Sequence, residues 1–253
     1  MLVERGLAEN RSRAQGLILS GSVRVGEQVV TKAGFRVPSD ESLTVERGER
    51  FVSRAGGKLD GALEELGVGV EGRSCVDAGA STGGFTDVLL RRGAHEVLAV
   101  DVGYGQLDWS LRNDARVTVM ERTNVRHLTG EDLPFPPDLL VADLSFISLR
   151  VALEKLFSTT PSLREAVLLV KPQFEAGPEL VGRGGVVRDP KVQAAVVRRV
   201  ADFFETLRFG AVGVARARVL GRRSGNQECP LHLVRGVRST LGEAEIEGVV
   251  GGG

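Results

Sequence analysis

Asp77-Ala78-Gly79-Ala80-Ser81-Thr82-Gly83-Gly84-Phe85-Thr86 follows the short apolar run Cys75-Val76 and opens an amphipathic one through Val88, Leu89 and Leu90. The order reads as strand, glycine turn, helix. Such a turn brings backbone close to a ligand and aims the first helical N–H groups at it. The spacing is not the G-x-G-x-x-G of dinucleotide sites, because Ala78 and Ala80 flank a single early glycine, Gly79. Asp77 also stands where a pyrophosphate would be repelled. An amino-acid-bearing sulfonium suits the turn better than a dinucleotide, which points to S-adenosylmethionine and disfavours a nicotinamide-dependent oxidoreductase.

Outward from the turn the pattern alternates strand and helix, the signature of a parallel α/β sheet. Strands are expected to end at Asp77, Asp101, Met120, Asp143 and Val170, with helices near 56–66, 84–92, 107–113, 149–157 and 190–208. Val212–Val219 and Pro230–Val234 read as a closing β-hairpin around 221–227. Residues 1–46 read differently, as two helices followed by short strands. Leu2, Leu7, Ala14, Leu17, Ile18 and Leu19 give a helical rhythm with Asn10 or Ser12 as a cap, Gly21 is expected to end the second helix, and a hairpin is expected to turn near Gly26. The expected division is a small domain at 1–46, a charged linker at 47–52, the α/β domain at 53–238 and a tail at 239–253, with Gly251-Gly252-Gly253 as a disordered end.

Hydrophobic residues make up 42% of the 253 residues, enough for a real core, and Lys+Arg balances Asp+Glu at 33 each. Net charge therefore points to no partner, but its distribution does. Arg5, Arg11, Arg13, Arg24, Lys32 and Arg36 face only Glu9 and Glu27, a basic module on a neutral chain. Cys75 and Cys229 are too few for a disulfide framework, and the scattered His95, His127 and His232 suggest no metal site. No apolar run approaches the roughly 18 residues of a membrane span, and Met1-Leu2-Val3-Glu4-Arg5 lacks a signal-peptide profile. A cytoplasmic setting is the expectation.

Several further segments carry a resemblance: Ser53-Arg54-Ala55-Gly56-Gly57-Lys58-Leu59, Asp101 to Leu107, Val141 to Ser148, Leu169 to Glu175, and Ser224-Gly225-Asn226-Gln227-Glu228. With the 77–86 turn they span nearly the whole chain in order. The chain closely resembles the TlyA family, bacterial ribosomal-RNA ribose methyltransferases also known as haemolysins. The resemblance implies an S4-type RNA-binding module joined to an FtsJ-like, Rossmann-like seven-stranded methyltransferase sheet. It also implies a Lys-Asp-Lys-Glu tetrad that falls on Lys58, Asp143, Lys171 and Glu228. Two departures stand out: no Arg-Leu-Asp-type stretch precedes Leu2-Val3, and Cys229-Pro230 follows Glu228.

Read from the residues, Asp143 and Lys171 fall at the ends of adjacent expected strands, where open α/β sheets build their sites. Lys171 is the expected base or hydroxyl-orienting group, held by Asp143 and Glu228, with Lys58 positioning the hydroxyl or a nearby phosphate. The cofactor is expected on Asp77, Gly79, Ser81, Gly83, Gly84 and Phe85, with Asp101 on its ribose and Asn124 at the adenine edge, beside Asp143. Phe146 is expected either to wall the pocket or stack on a target base, or else to pack in the core. Trp109 is expected to pack. Arg5, Arg11, Arg13, Arg24 and Lys32 are candidate phosphate contacts, and Arg183, Gly184, Gly185, Arg188 and Asp189 a polar loop facing RNA. The reaction implied is 2′-O-methylation of a ribosomal-RNA ribose, on cytidine. The competing readings are a membrane-damaging haemolysin and a non-catalytic RNA-binding assembly factor.

Overall fold

The computed structural model describes residues 1–8, 11–19, 23–26, 28–35, 37–38, 41–45, 51–217 and 226–251, with residues 12, 13, 16 and 19 described through their backbone alone. The chain forms two compact units, Met1–Arg50 and Phe51–Gly253. Most of the expected linker, Arg36, the side chain of Arg13, and Ser224-Gly225 lie outside the described residues.

The first unit holds α1 (Arg11–Leu19) and a sheet of β1 (Val23–Val25), β2 (Gln28–Val30) and β3 (Leu43–Val45) in the order β2-β1-β3. Val25 pairs with Gln28 around Gly26, whose φ of 57° is the left-handed value a tight hairpin turn needs. Leu2, Leu17 and Val23 form its small core, with Leu7, Ala14, Ile18, Leu43 and Val45 packed against them. The helix expected from Leu2 onward does not form. Arg5 N bonds Met1 O at 2.9 Å, then Gly6 turns left-handed at φ 69° and ends the rise after one turn. Ser12 lies inside α1 rather than capping it, and Asn10 and Gly21 lie outside the described residues.

The second unit runs α2 (Arg54–Glu65), β4 (Ser74–Ala78), α3 (Gly84–Arg91), β5 (Glu96–Val100), α4 (Trp109–Arg112), β6 (Val117–Met120), β7 (Leu139–Ala142), α5 (Leu149–Thr159), β8 (Glu165–Val170), α6 (Pro172–Glu175), α7 (Pro190–Thr206), β9 (Phe209–Val214), β10 (Cys229–Arg235) and α8 (Glu243–Gly251). Its seven strands lie in the order β6-β5-β4-β7-β8-β10-β9, and β10 runs antiparallel to both neighbours. Alternation along each strand explains the layers. Cys75, Val97, Leu139, Val141, Val167 and Leu169 enter one core with α2 and α3. Val76, Leu98, Leu140, Ala142, Leu168 and Val170 enter the other with α5 and α7. A sheet covered on both faces needs such continuous apolar strands.

The closing hairpin begins earlier than expected, because Phe209 and Gly210 join the sheet almost directly after α7. Its pairing still continues past β9, where Ala217 N bonds Glu228 O at 3.1 Å. The stretch 239–253, expected to trail beyond the domain, instead carries α8. Ile246 and Val250, one helical turn apart, are buried in the core that α7 lines.

Candidate active site

The glycine turn is fixed by the strands beside it. Gly79 N and Ala80 N both bond Val100 O, at 2.9 and 3.1 Å, and Asp143 N bonds Ala78 O at 3.1 Å, so the ends of β4, β5 and β7 converge. Gly79 has a φ of 88°, and a Cβ there would stand 2.7 Å from Asp143 O. Only glycine allows this approach. Gly83, at φ 95°, meets α4 instead: a Cβ there would clash with Leu111 Cδ1.

A cavity of about 460 Å³ opens beside this turn, lined by Gly79, Ser81, Asp101, Asn124, Asp143 and Phe146 among others. A smaller one of about 170 Å³ shares Gly79, Ser81, Asp143 and Ser145 with it and adds Ser53, Gly84, Phe85 and Lys171. Asp101 is held by backbone: Oδ2 accepts from Ser81 N at 2.8 Å and Oδ1 from Gly103 N at 2.6 Å. A carboxylate has lone pairs for further donors, so it can still accept from a ligand's hydroxyls. Asn124 Oδ1 accepts from Arg126 N at 3.1 Å, which leaves its amide N–H groups to meet an acceptor in the cavity.

Asp77 lies off both linings. It is fully buried, with Oδ2 accepting from Thr86 Oγ1 at 2.7 Å, and it braces β4 against α3. Burial pushes its carboxyl up to about 7, against the Thr86 hydrogen bond that favours the charged form.

The expected tetrad arrives as two ion pairs. Lys171 Nζ stands 2.5 Å from Asp143 Oδ1 and donates to Ser145 Oγ at 3.0 Å. Lys58 Nζ stands 2.5 Å from Glu228 Oε2. Sheet register brings the pairs to one edge: β7 and β8 are parallel neighbours, and Cys229 pairs with Val170, so Glu228 and Lys171 leave adjacent strands at the same level. The expectation that Glu228 holds Lys171 is corrected: its partner is Lys58, which α2 carries across from outside the sheet. All four side chains are largely buried.

Two hydroxyls escaped the sequence reading. Ser145 bonds Lys171, and Ser53 Oγ is buried against the smaller cavity with no partner among the described residues. Both lie within the resembling segments 53–59 and 141–148, but nothing in a single serine there distinguishes it from its neighbours. Phe146 takes a left-handed φ of 64°, is 91% exposed and leans on Phe174 with ring centroids 5.2 Å apart, so it is no core residue. Trp109, expected to pack, is 77% exposed.

In the first unit, Arg11 and Lys32 line one mainly apolar cavity and are exposed, while Arg24 is half-buried on β1. Arg5 donates to Glu41 O at 2.9 Å.

Residues 51–232 match the FtsJ-like methyltransferase family, and residues 1–43 match the S4 domain. The chain is 51% identical, over 92% of its length and 87% of the relative's, to the 16S/23S rRNA (cytidine-2′-O)-methyltransferase TlyA of Mycobacterium tuberculosis. It is 37% identical, over 90% of its length and 95% of the relative's, to hemolysin A of Brachyspira hyodysenteriae. A solved structure from Streptococcus thermophilus, described as a candidate hemolysin, superposes with a TM-score of 0.77 at 36% identity, covering 99% of this chain and 92% of that one. With these matches over nearly the whole of both units, the chain belongs to the FtsJ-like methyltransferase family, in the TlyA group that joins an S4 domain to this fold.

Proposed function

We propose that this protein transfers a methyl group from S-adenosylmethionine to the 2′-hydroxyl of a cytidine ribose in ribosomal RNA. The observation that carries the reading is the placement of Lys171–Asp143 and Lys58–Glu228 at the edge of the sheet where the glycine turn opens its cavity.

The residues fit the cofactor. Gly79 lies so close to Asp143 that a side chain would fill the cradle, Asp101 suits two ribose hydroxyls, and Ser53 Oγ is a buried hydroxyl without a partner among the described residues. When bound, S-adenosylmethionine supplies an electrophilic methyl on sulfur. The chain's own task is to hold the ribose oxygen in line and manage its proton. Lys171 Nζ, steadied by Asp143 and Ser145, orients that oxygen, and the proton leaves through the Lys171–Asp143 pair. Lys58, fixed by Glu228, positions the ribose or its phosphate. Phe146 stands exposed at the cavity mouth as a face for the target base, which must leave its stack to reach the site.

The S4 unit supplies RNA affinity through Arg11 and Lys32. Arg11→Glu lowers RNA affinity and reduces the slope of log affinity against log salt by about one, with cofactor affinity unchanged. Filter binding across a salt series checks this, and an unchanged slope removes Arg11 from the interface. For the reaction itself, labelled S-adenosylmethionine is incubated with separate ribosomal subunits and the RNA is hydrolysed in alkali. Label in alkali-resistant dinucleotides supports ribose methylation, and label in ordinary mononucleotides rejects it.

A further inference from the structure

Asn226 is completely buried, and both ends of its side-chain amide bond a neighbouring turn. Its Oδ1 accepts from Val187 N at 2.9 Å and its Nδ2 donates to Gly185 O at 2.8 Å. Gln193 Nε2 takes the other backbone group of Val187, donating to its carbonyl at 2.7 Å. The turn so held is closed by the Gly182–Val186 bridge and passes through Gly184 and Gly185 at φ 79° and 75°. Arg183 and Arg188 stand exposed on it, while Asp189, the acid beside them, caps α7 through Lys191 N at 2.9 Å.

Two residues after Asn226 comes Glu228, the partner of Lys58. The intervening stretch is pinned by hydrogen bonds on both sides. Gln227 Nε2 donates to Glu228 O at 3.0 Å, its Oε1 accepts from Arg216 Nε at 2.8 Å, and Ala217 N reaches Glu228 O. A load on the turn therefore reaches Glu228 through a buried amide and a pinned backbone, with no flexible loop between them. Exposed guanidinium groups beside glycine backbone suit a phosphodiester, where contacts give position rather than sequence.

We propose that the 182–188 turn contacts RNA phosphate and that Asn226 is the positioning residue that couples this contact to Glu228. The inference rests on the assignment of Glu228 to the transfer site made above.

The test uses the full-length protein, ribosomal subunits and labelled S-adenosylmethionine. Arg183→Ala with Arg188→Ala raises KM for RNA, lowers the salt slope by about one per lost contact, and lowers kcat roughly threefold to tenfold because the contact that sets Glu228 is lost. Asn226→Ala lowers kcat roughly tenfold to a hundredfold, as a small displacement of a catalytic group does. Its affinity for S-adenosylmethionine alone stays within about twofold, since neither Asn226 nor the turn lines that cavity. In the Asn226→Ala background the arginine substitutions still raise KM but lose their effect on kcat, a coupling that a merely structural amide would not produce. Additive effects, or cofactor affinity falling together with kcat, overturn the coupling; unchanged KM and salt slope in the arginine variants overturn the phosphate contact. Those surface variants are informative even where Asn226→Ala fails to fold. Glu228→Gln run alongside separates the two readings: full transfer by that variant overturns the assignment of Glu228 itself.

Discussion

The two edges of the sheet are built from the same kinds of residue and differ in what those residues face. At the edge where the parallel strands begin, Arg73 contacts both Asp138 and Glu165, and His232 Nε2 lies 2.6 Å from Glu165 Oε1. Asp138 Oδ2 also accepts from Ser74 N, so the starts of β4, β7 and β8 and the middle of β10 are tied in one network. At the edge where those strands end, Lys171–Asp143 and Lys58–Glu228 pair with similar closeness, but Lys171, Asp143 and Ser145 line a cavity. Charge pairs that satisfy one another fasten strands, and pairs that open onto a cavity can act on something else. Paired acids and bases alone do not tell the two apart.

The largest effect separating the edges is on rate. Lys171→Ala is expected to lower methyl transfer roughly a thousandfold, within the range of general acid–base contributions, with S-adenosylmethionine affinity nearly unchanged by calorimetry. Undiminished turnover in that variant takes lysine out of proton handling.

Next in size is a stability effect at the opposite edge. Arg73→Met leaves Asp138 and Glu165 without their shared cation and destabilises by about 2–4 kcal/mol, less than a fully buried pair because both acids keep some solvent. Thermal melting should fall by about 5–10 °C, while transfer measured well below the transition keeps its wild-type rate.

The smallest difference lies in pH dependence, where the two edges carry opposite signs. Burial raises the Glu165 carboxyl, but hydrogen bonds from His232 and Arg73 outweigh it and hold the group below its ordinary 4.5. Its contribution is present above that value and is lost as pH falls through the folded one. Asp77 is raised from 3.8 to about 7, so the folded state keeps a proton that the unfolded chain has released. Its contribution is full below about 4 and declines until pH reaches about 7. Urea unfolding across pH should show Glu165→Gln flattening the acid limb and Asp77→Asn flattening the decline between pH 4 and 7. The same slope in Asp77→Asn as in the parent chain contradicts the buried, proton-holding aspartate.

Much of this arrangement was legible in the sequence because punctuation falls where the chemistry does. Asp77, Asp101, Asp143 and Lys171 each end or just follow an apolar run, so a parallel sheet places them at one edge. Pairing was less legible, since which lysine meets which acid depends on the position of β10 beside β8 and on α2 crossing from outside the sheet. Glu175, close to Lys171 in sequence, serves structure instead: its carboxylate accepts from Leu149 N and Ser148 Oγ at the start of α5. Trp109 misleads because α4 is only one turn long, and Leu111 is its buried residue, packed toward Gly83. In α8, the Ile246–Val250 spacing was present, but the flanking glycines read as a tail.

The most direct test sets the edges side by side. Methyl-transfer rate and melting temperature are measured together for Lys58→Ala, Lys171→Ala, Arg73→Met and His232→Ala. The two lysine variants leave Glu228 and Asp143 buried and unpaired and so melt lower as well, but assayed well below their transitions they should lose transfer by orders of magnitude, whereas the other two melt lower and transfer at the parent rate. Four variants falling on a single line, with rate lost in proportion to stability, would contradict a division between a fastening edge and a reacting one.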